Sequence, residues 1–232
     1  MVDPQKFAAL FSGGKDSTFA IQRAMEQGRQ VSVLVTLKSK NPASVLYHVP
    51  NIDFAKLQAK AIGIPQIFRL TDGVKEKDLT DIKLALQEAI RKYKITGLVF
   101  GAVSSEQLRY KIEAICADLG LKTAAPLWHL DPERYLTEMV REGFEVVIIS
   151  CTGSGFTPAW LGRKLDLQAI QELKQLHHKF GVHISGEGGE FKTIVVDGPI
   201  FKKRLEIKDA EKVWSGDSGF YIIKKAKLVA KK

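Results

Sequence analysis

Two cysteines, Cys116 and Cys151, in 232 residues are too few for a disulfide framework or a cysteine-rich zinc site. Such sparing use fits a reducing compartment, and a cytoplasmic protein is expected. Five histidines are present, but His177 and His178 adjoin on a predicted helix and His183 follows it, without metal-ligand spacing. No apolar run approaches the roughly 20 residues that span a membrane. The opening MVDPQKFAALFSGG carries one lysine and is broken by Ser-Gly-Gly, unlike a signal peptide. With 8 prolines and 19 glycines the chain is neither collagen-like nor low in complexity. What is present, 45% hydrophobic and 26% charged residues, suits a folded soluble protein able to bury a core without staples. Lys+Arg at 35 against Asp+Glu at 26 gives +9. That excess favours anionic partners, although a solvated lysine-rich surface is the simpler account.

The first half alternates short apolar runs with amphipathic stretches. Strands are expected at Lys6–Phe11, Val31–Leu37, Gln66–Leu70 and Gly97–Ala102, and helices at Ser17–Gly28, Phe54–Gly63, Asp78–Tyr93 and Glu106–Gly120. In the third helix Leu79, Ile82, Leu86 and Ile90 keep helical period. This repetition predicts an α/β fold, a doubly wound parallel sheet with helices on both faces. After Trp128 the pattern changes. A helix over Asp131–Gly143, a strand at Glu145–Cys151, a helix over Asp166–Gly181 and three further strands predict a smaller α+β domain. The expected division is 1–127 and 128–232.

The strongest motif is Ser12-Gly13-Gly14-Lys15-Asp16-Ser17, between the first strand and the first helix. Gly13 and Gly14 permit a tight bend that brings N–H groups against phosphate oxygens. The helix adds its positive N-terminal end. Ser12 and Ser17 offer hydroxyls, and Lys15 a cation for charge that develops in phosphoryl transfer. Asp16 would repel bare phosphate, so it implies a bridging Mg²⁺. A plain strand-to-helix turn would need neither Lys15 nor both serines.

SGGKDS in this position resembles the phosphate loop of the N-type ATP pyrophosphatases, the PP-loop superfamily, which lacks the Walker spacing. Three further segments, GAVSSEQLRYKIE from Gly101, TPAWLGR from Thr157 and GEGGEFKT from Gly186, occur with it in an order that resembles the diphthine–ammonia ligase (diphthamide synthase) family. The resemblance runs over nearly the whole chain. Lys192 departs from it, because an acidic residue is expected there. The resemblance implies a HUP-like nucleotide fold of the adenine nucleotide α-hydrolase type, in a short, archaeal-type form. It also implies a ligase that amidates diphthine on elongation factor 2 with ATP, Mg²⁺ and ammonia, releasing AMP and pyrophosphate. A tRNA-modifying PP-loop enzyme is the alternative.

Ligands in such sheets lie beyond the strands' carboxyl ends. Ser12 to Ser17 are therefore expected at the triphosphate, with Asp16 on the metal, and Val35, Thr36, Gly101, Ala102 and Ser104 near the nucleotide. Diphthine carries a carboxylate and a quaternary ammonium, which aromatic faces and carboxylates hold best. Phe156, Trp160, Glu187, Gly188, Gly189 and Glu190 are accordingly expected to form a substrate pocket. Glu187 and Glu190 either bind that cation or take a proton from ammonium. For the tryptophans core packing is the competing account. Tyr47, His48 and Asn51 are expected in a substrate-side lid, and Gln107 in the cleft. Neither a membrane nor a nucleic-acid partner is expected, and self-association is left open.

Overall fold

The computed structural model describes residues 5–40, 51–72 and 78–231. Strands β1 (Lys6–Leu10), β2 (Gln30–Ser39), β3 (Gln66–Thr71), β4 (Gly97–Val99) and β5 (Lys122–Ala124) form one sheet. Its order is β3-β2-β1-β4-β5, and every pairing is parallel. The crossovers are α1 (Lys15–Glu26), α2 (Ala55–Ile62), α3 (Asp78–Tyr93) and α4 (Glu106–Asp118). The chain runs outward from β1 to β2 and β3, then returns through α3 to β4 on the other side of β1. The reversal opens a crevice at the carboxyl ends of β1 and β4, where such folds bind ligands.

Alternation along the strands builds two cores. Phe7 and Ala9 of β1 face one side of the sheet with Phe19, Ala20 and Ile21 of α1. Ala8, Val33 and Val35 face the other, against Leu86 and Ala89 of α3 and Ile112 and Cys116 of α4. The expected helices on both faces are there. The small edge strand β5 is a finding: three residues, KTA, are too short to show a period, and it forms by pairing with β4.

The second half holds α5 (Pro132–Arg141), β6 (Glu145–Thr152), α6 (Leu167–Phe180), β7 (Phe191–Asp197), β8 (Arg204–Ser215) and β9 (Ser218–Val229). Its sheet is antiparallel, in the order β7-β6-β9-β8. Both helices are capped as their sequences ask: the Asp131 and Asp166 carboxylates accept N–H bonds from Arg134 and Ala169 at 2.8 and 2.7 Å. On β6, Val146 and Ile148 point into the core that contains Phe19, while Val147 and Ile149 face Ile194, Leu205 and Ile223 on the opposite side. Phe19 stacks on Tyr135 of α5 and meets Phe144 edge-on. The two halves thus share one continuous apolar core, with α1 between their sheets.

A phosphate loop braced by a distant strand

The loop after β1 is locked from within and from behind. Gly13 has φ +77°, a left-handed conformation that L side chains rarely adopt, and a Cβ there would lie 2.0 Å from the Gln58 side chain. Its carbonyl accepts N–H bonds from Val195 of β7 at 2.9 Å and from the Gln58 side chain at 2.8 Å. Gln58, fully buried on α2, also donates to the Val195 carbonyl. The first turn of α1 begins at Lys15, whose N–H donates to the Thr193 hydroxyl at 3.1 Å. Within the loop, Ser12 and Ser17 pair their hydroxyls at 3.1 Å, and the Gly14 N–H donates to Ser12 Oγ. Gln58 and Thr193 are the residues that sequence reasoning missed as supports. Their partners lie far along the chain, so no local spacing marks them.

Asp16 sits at the front of this loop. Lys15 Nζ bridges its two carboxylate oxygens at 2.9 and 2.8 Å, and the Tyr135 hydroxyl donates to Oδ1 at 2.7 Å. Lys15 is itself buried, with its ammonium 5.4 Å from the centre of the Phe191 ring. Gly101, at the end of β4, comes so close to α1 that a Cβ would stand 2.7 Å from the Asp16 carbonyl carbon.

Across the crevice, the chain from Val103 to Ser105 turns into α4 and points successive N–H groups at one spot. Glu187 fills it. Its Oε1 accepts from the N–H groups of Val103, Ser104 and Ser105 at 3.2, 2.7 and 3.1 Å, and its Oε2 from the Ser104 hydroxyl. Burial alone would raise the pKa of this carboxyl. The Ser104 hydroxyl and the three N–H groups outweigh that and hold it below the usual carboxylate value. The contact clasps the Gly186–Glu190 loop to the first half of the chain.

Two cavities open onto this crevice. The first, about 280 Å³, is mostly apolar: Leu10, Phe11, Val35, Leu37, Ile82 and Phe100 are among its walls. The second, about 440 Å³, is more polar, with Gly14, Lys15, Gln107, Ser185, Gly189 and Lys192 among its walls. They share Ser12, Asp16, Gly101, Leu108 and Lys111. Ser17 lines the first and Ala102 the second, so most of the expected nucleotide residues are brought together. Lys192, on the inner end of β7, has its pKa pushed down by burial.

Other expected site residues are placed elsewhere. Phe156 and Trp160 pack edge-on in the core, 7% and 6% exposed, and line neither cavity. Their rings gain more from apolar burial than an open cation box would allow. Glu190 turns back on its own loop: Oε1 accepts from the His183 N–H at 2.8 Å, and Oε2 is buried without a hydrogen-bond partner among the described residues. Gly188 lies against that carboxylate, outside the cavity walls. Thr36 is buried and donates to the Phe11 carbonyl at 2.6 Å, so it braces β2 rather than facing the apolar chamber. Asn51 pairs its side-chain amide with Tyr221 and Ile223 of β9, as a strand would. Tyr47 and His48 lie outside the described residues. Among the described residues there is no cluster of three metal-ligating side chains, and no helix is long and apolar enough to cross a membrane.

The diphthamide synthase N-terminal domain profile matches residues 5–123, and the C-terminal domain profile matches residues 131–229. The diphthine–ammonia ligase of Danio rerio is 31% identical over 93% of this chain and 91% of its own length. That of Homo sapiens is 30% identical over 90% and 85%. The Schizosaccharomyces pombe enzyme of the same name is 31% identical over 90% of this chain but only 37% of its own length. The match thus takes in most of the Danio rerio and Homo sapiens enzymes but little more than a third of the Schizosaccharomyces pombe one. A solved chain described as a predicted subunit of tRNA methyltransferase from Methanocaldococcus jannaschii superposes with a TM-score of 0.43 at 17% identity, over 84% of this chain and 98% of that one. That likeness is too loose to bear on function. With both domain profiles matched in sequence order, and relatives aligned over nine-tenths of its length, the chain belongs to the diphthamide synthase family of carbon–nitrogen-bond-forming ligases.

Proposed function

We propose that the protein amidates the carboxylate of diphthine on elongation factor 2, using ATP and ammonia and releasing AMP and pyrophosphate. The observation that carries this reading is the meeting of an apolar and a polar cavity at Ser12, Asp16, Gly101 and Lys111. Adenosine laid in the first and a β,γ-diphosphate in the second would put the α-phosphorus at their junction. Attack there by a carboxylate oxygen forms an acyl–AMP bond and breaks the α–β phosphoanhydride. Ammonia then adds to the acyl carbon, the C–O bond to AMP breaks, and the nitrogen loses one proton to leave the neutral amide. A carboxylate would otherwise have to expel oxide, so AMP is the leaving group that makes the exchange feasible.

The loop contributes position and charge. Lys15, Lys111 and Lys192 all line the polar cavity. Its two acids, Asp16 and Glu187, are already engaged by donors of the protein itself. Such a lining suits a polyphosphate and repels a quaternary ammonium, so the cationic end of diphthine is expected outside this cavity. A single carboxylate facing phosphate fits Mg²⁺, which keeps most of its waters and needs few protein ligands. Asp16 would hold it, and the ion when bound supplies neutralisation of the triphosphate charge.

The test is mass spectrometry of diphthine-bearing elongation factor 2 after incubation with the protein, ATP, Mg²⁺ and ammonium. Conversion of one carboxylate to one amide is expected. An unchanged factor, with a tRNA base modified instead under the same conditions, would overturn the reading.

A further inference from the structure

We propose that Tyr135 is a positioning residue for the phosphate loop, its buried hydroxyl holding the Asp16 carboxylate in the orientation that receives a metal–triphosphate. The inference rests on the reading of Asp16 given above.

Tyr135 comes from α5, in the second half of the chain, and is fully buried. Its ring packs on Phe19 of α1, a task that phenylalanine would perform equally well. The hydroxyl is the part that packing does not require, and burying one is unfavourable unless it is bonded. It bonds to Asp16 Oδ1 at 2.7 Å.

Asp16 therefore has two donors of different kinds. Lys15 reaches it from the adjacent residue on a four-carbon stem, and the same ammonium is the loop's candidate for phosphate charge. When Lys15 turns to a phosphate, the carboxylate loses that partner. Tyr135 has no such alternative, because its ring is enclosed by the shared core. With a fixed donor on Oδ1 and an exchangeable one across both oxygens, the carboxylate keeps its orientation whether or not nucleotide is bound, and Tyr135 makes no claim on Oδ2.

The experiment measures affinity for the ATP analogue with methylene in place of the α,β-bridging oxygen, with and without Mg²⁺, by titration calorimetry. Wild-type protein should bind more tightly with the metal. Tyr135→Phe should lose at least fivefold of that tightening while its metal-free affinity stays within twofold of wild type. Equal tightening in Tyr135→Phe overturns the proposal. If Asp16→Asn retains the wild-type tightening, the reading of Asp16 fails and the proposal fails with it. Should Tyr135→Phe not fold, the wild-type hydroxyl proton carries the test. It should appear as a slowly exchanging resonance that shifts on Asp16→Asn and on binding Mg²⁺ with the analogue. A resonance indifferent to both contradicts the role.

Discussion

Two glycine-bearing loops face each other across the crevice, and they work in opposite ways. The loop from Ser12 to Ser17 offers its groups to the cavities: Ser12 and Asp16 line both of them, and its backbone is braced from behind by Gln58 and β7. The loop from Ser185 to Phe191 spends its charged groups on the protein. Glu187 is clasped by three N–H groups and a hydroxyl 82 to 84 residues away, and Glu190 folds back to His183. The contrast teaches that carboxylates in a glycine-rich motif are not thereby substrate ligands. One of them can serve as the pin that keeps a loop shut over a cavity.

The largest effect expected from this comparison is on the first loop. Asp16→Ala should lower the rate of AMP formation by about 100-fold or more, the scale of losing one electrostatic stabiliser. The variant should still fold, with a modestly lower melting temperature, because the buried Tyr135 hydroxyl and Lys15 ammonium lose their partner. Full activity in that variant would erase the distinction between the loops. The core aromatics come next: Phe156→Ala should cost about 3–5 kcal/mol of stability, as emptied core positions do. A change confined to substrate KM, with stability intact, would return Phe156 to the substrate pocket.

Why one loop was legible in the sequence and the other was not follows from where their partners lie. The strand, glycines and first helical turn around SGGKDS are contiguous, so local grammar disclosed the crevice side of the fold, and the expected nucleotide residues Val35, Gly101 and Ala102 line its cavities. Apart from β5, too short to show a period, the parallel sheet and the second, smaller sheet were readable from the alternation of apolar runs and amphipathic helices. Glu187 read as a substrate-pocket carboxylate, and its clasp could not be seen because its donors, Val103 to Ser105, belong to another element. Trp160 and Phe156 read as a cation box because composition does not tell which aromatics are buried. Gln58 and Tyr135 carried no signal: each looks like an ordinary member of an amphipathic helix until the second half folds onto the first.

Smaller effects sharpen the role of the clasp. Glu187→Gln should cost about 1.5–3 kcal/mol, the range for hydrogen bonds to a charged group. It should also speed hydrogen exchange at the Ser104 and Ser105 amides. Because the folded-state pKa of Glu187 is lowered from 4.5, its contribution is complete above that value and is lost as pH falls through the lowered one. Amide protection at Ser104 should therefore drop in acid in wild type and show no such step in Glu187→Gln. Smallest of all, Lys192→Met should raise the KM for ATP by about three- to tenfold, which corresponds to losing roughly 1 kcal/mol of charge interaction with phosphate. An unchanged KM would remove Lys192 from the polyphosphate wall.

The central claim is that ATP lies across both cavities with its α-phosphorus at the junction of Ser12 and Asp16. The most direct measurement follows α-labelled ATP during turnover with diphthine-bearing elongation factor 2 and ammonium. Labelled AMP should appear together with pyrophosphate, one of each for every amide formed. Labelled ADP with orthophosphate would place the cleavage one phosphate too far along and contradict the account.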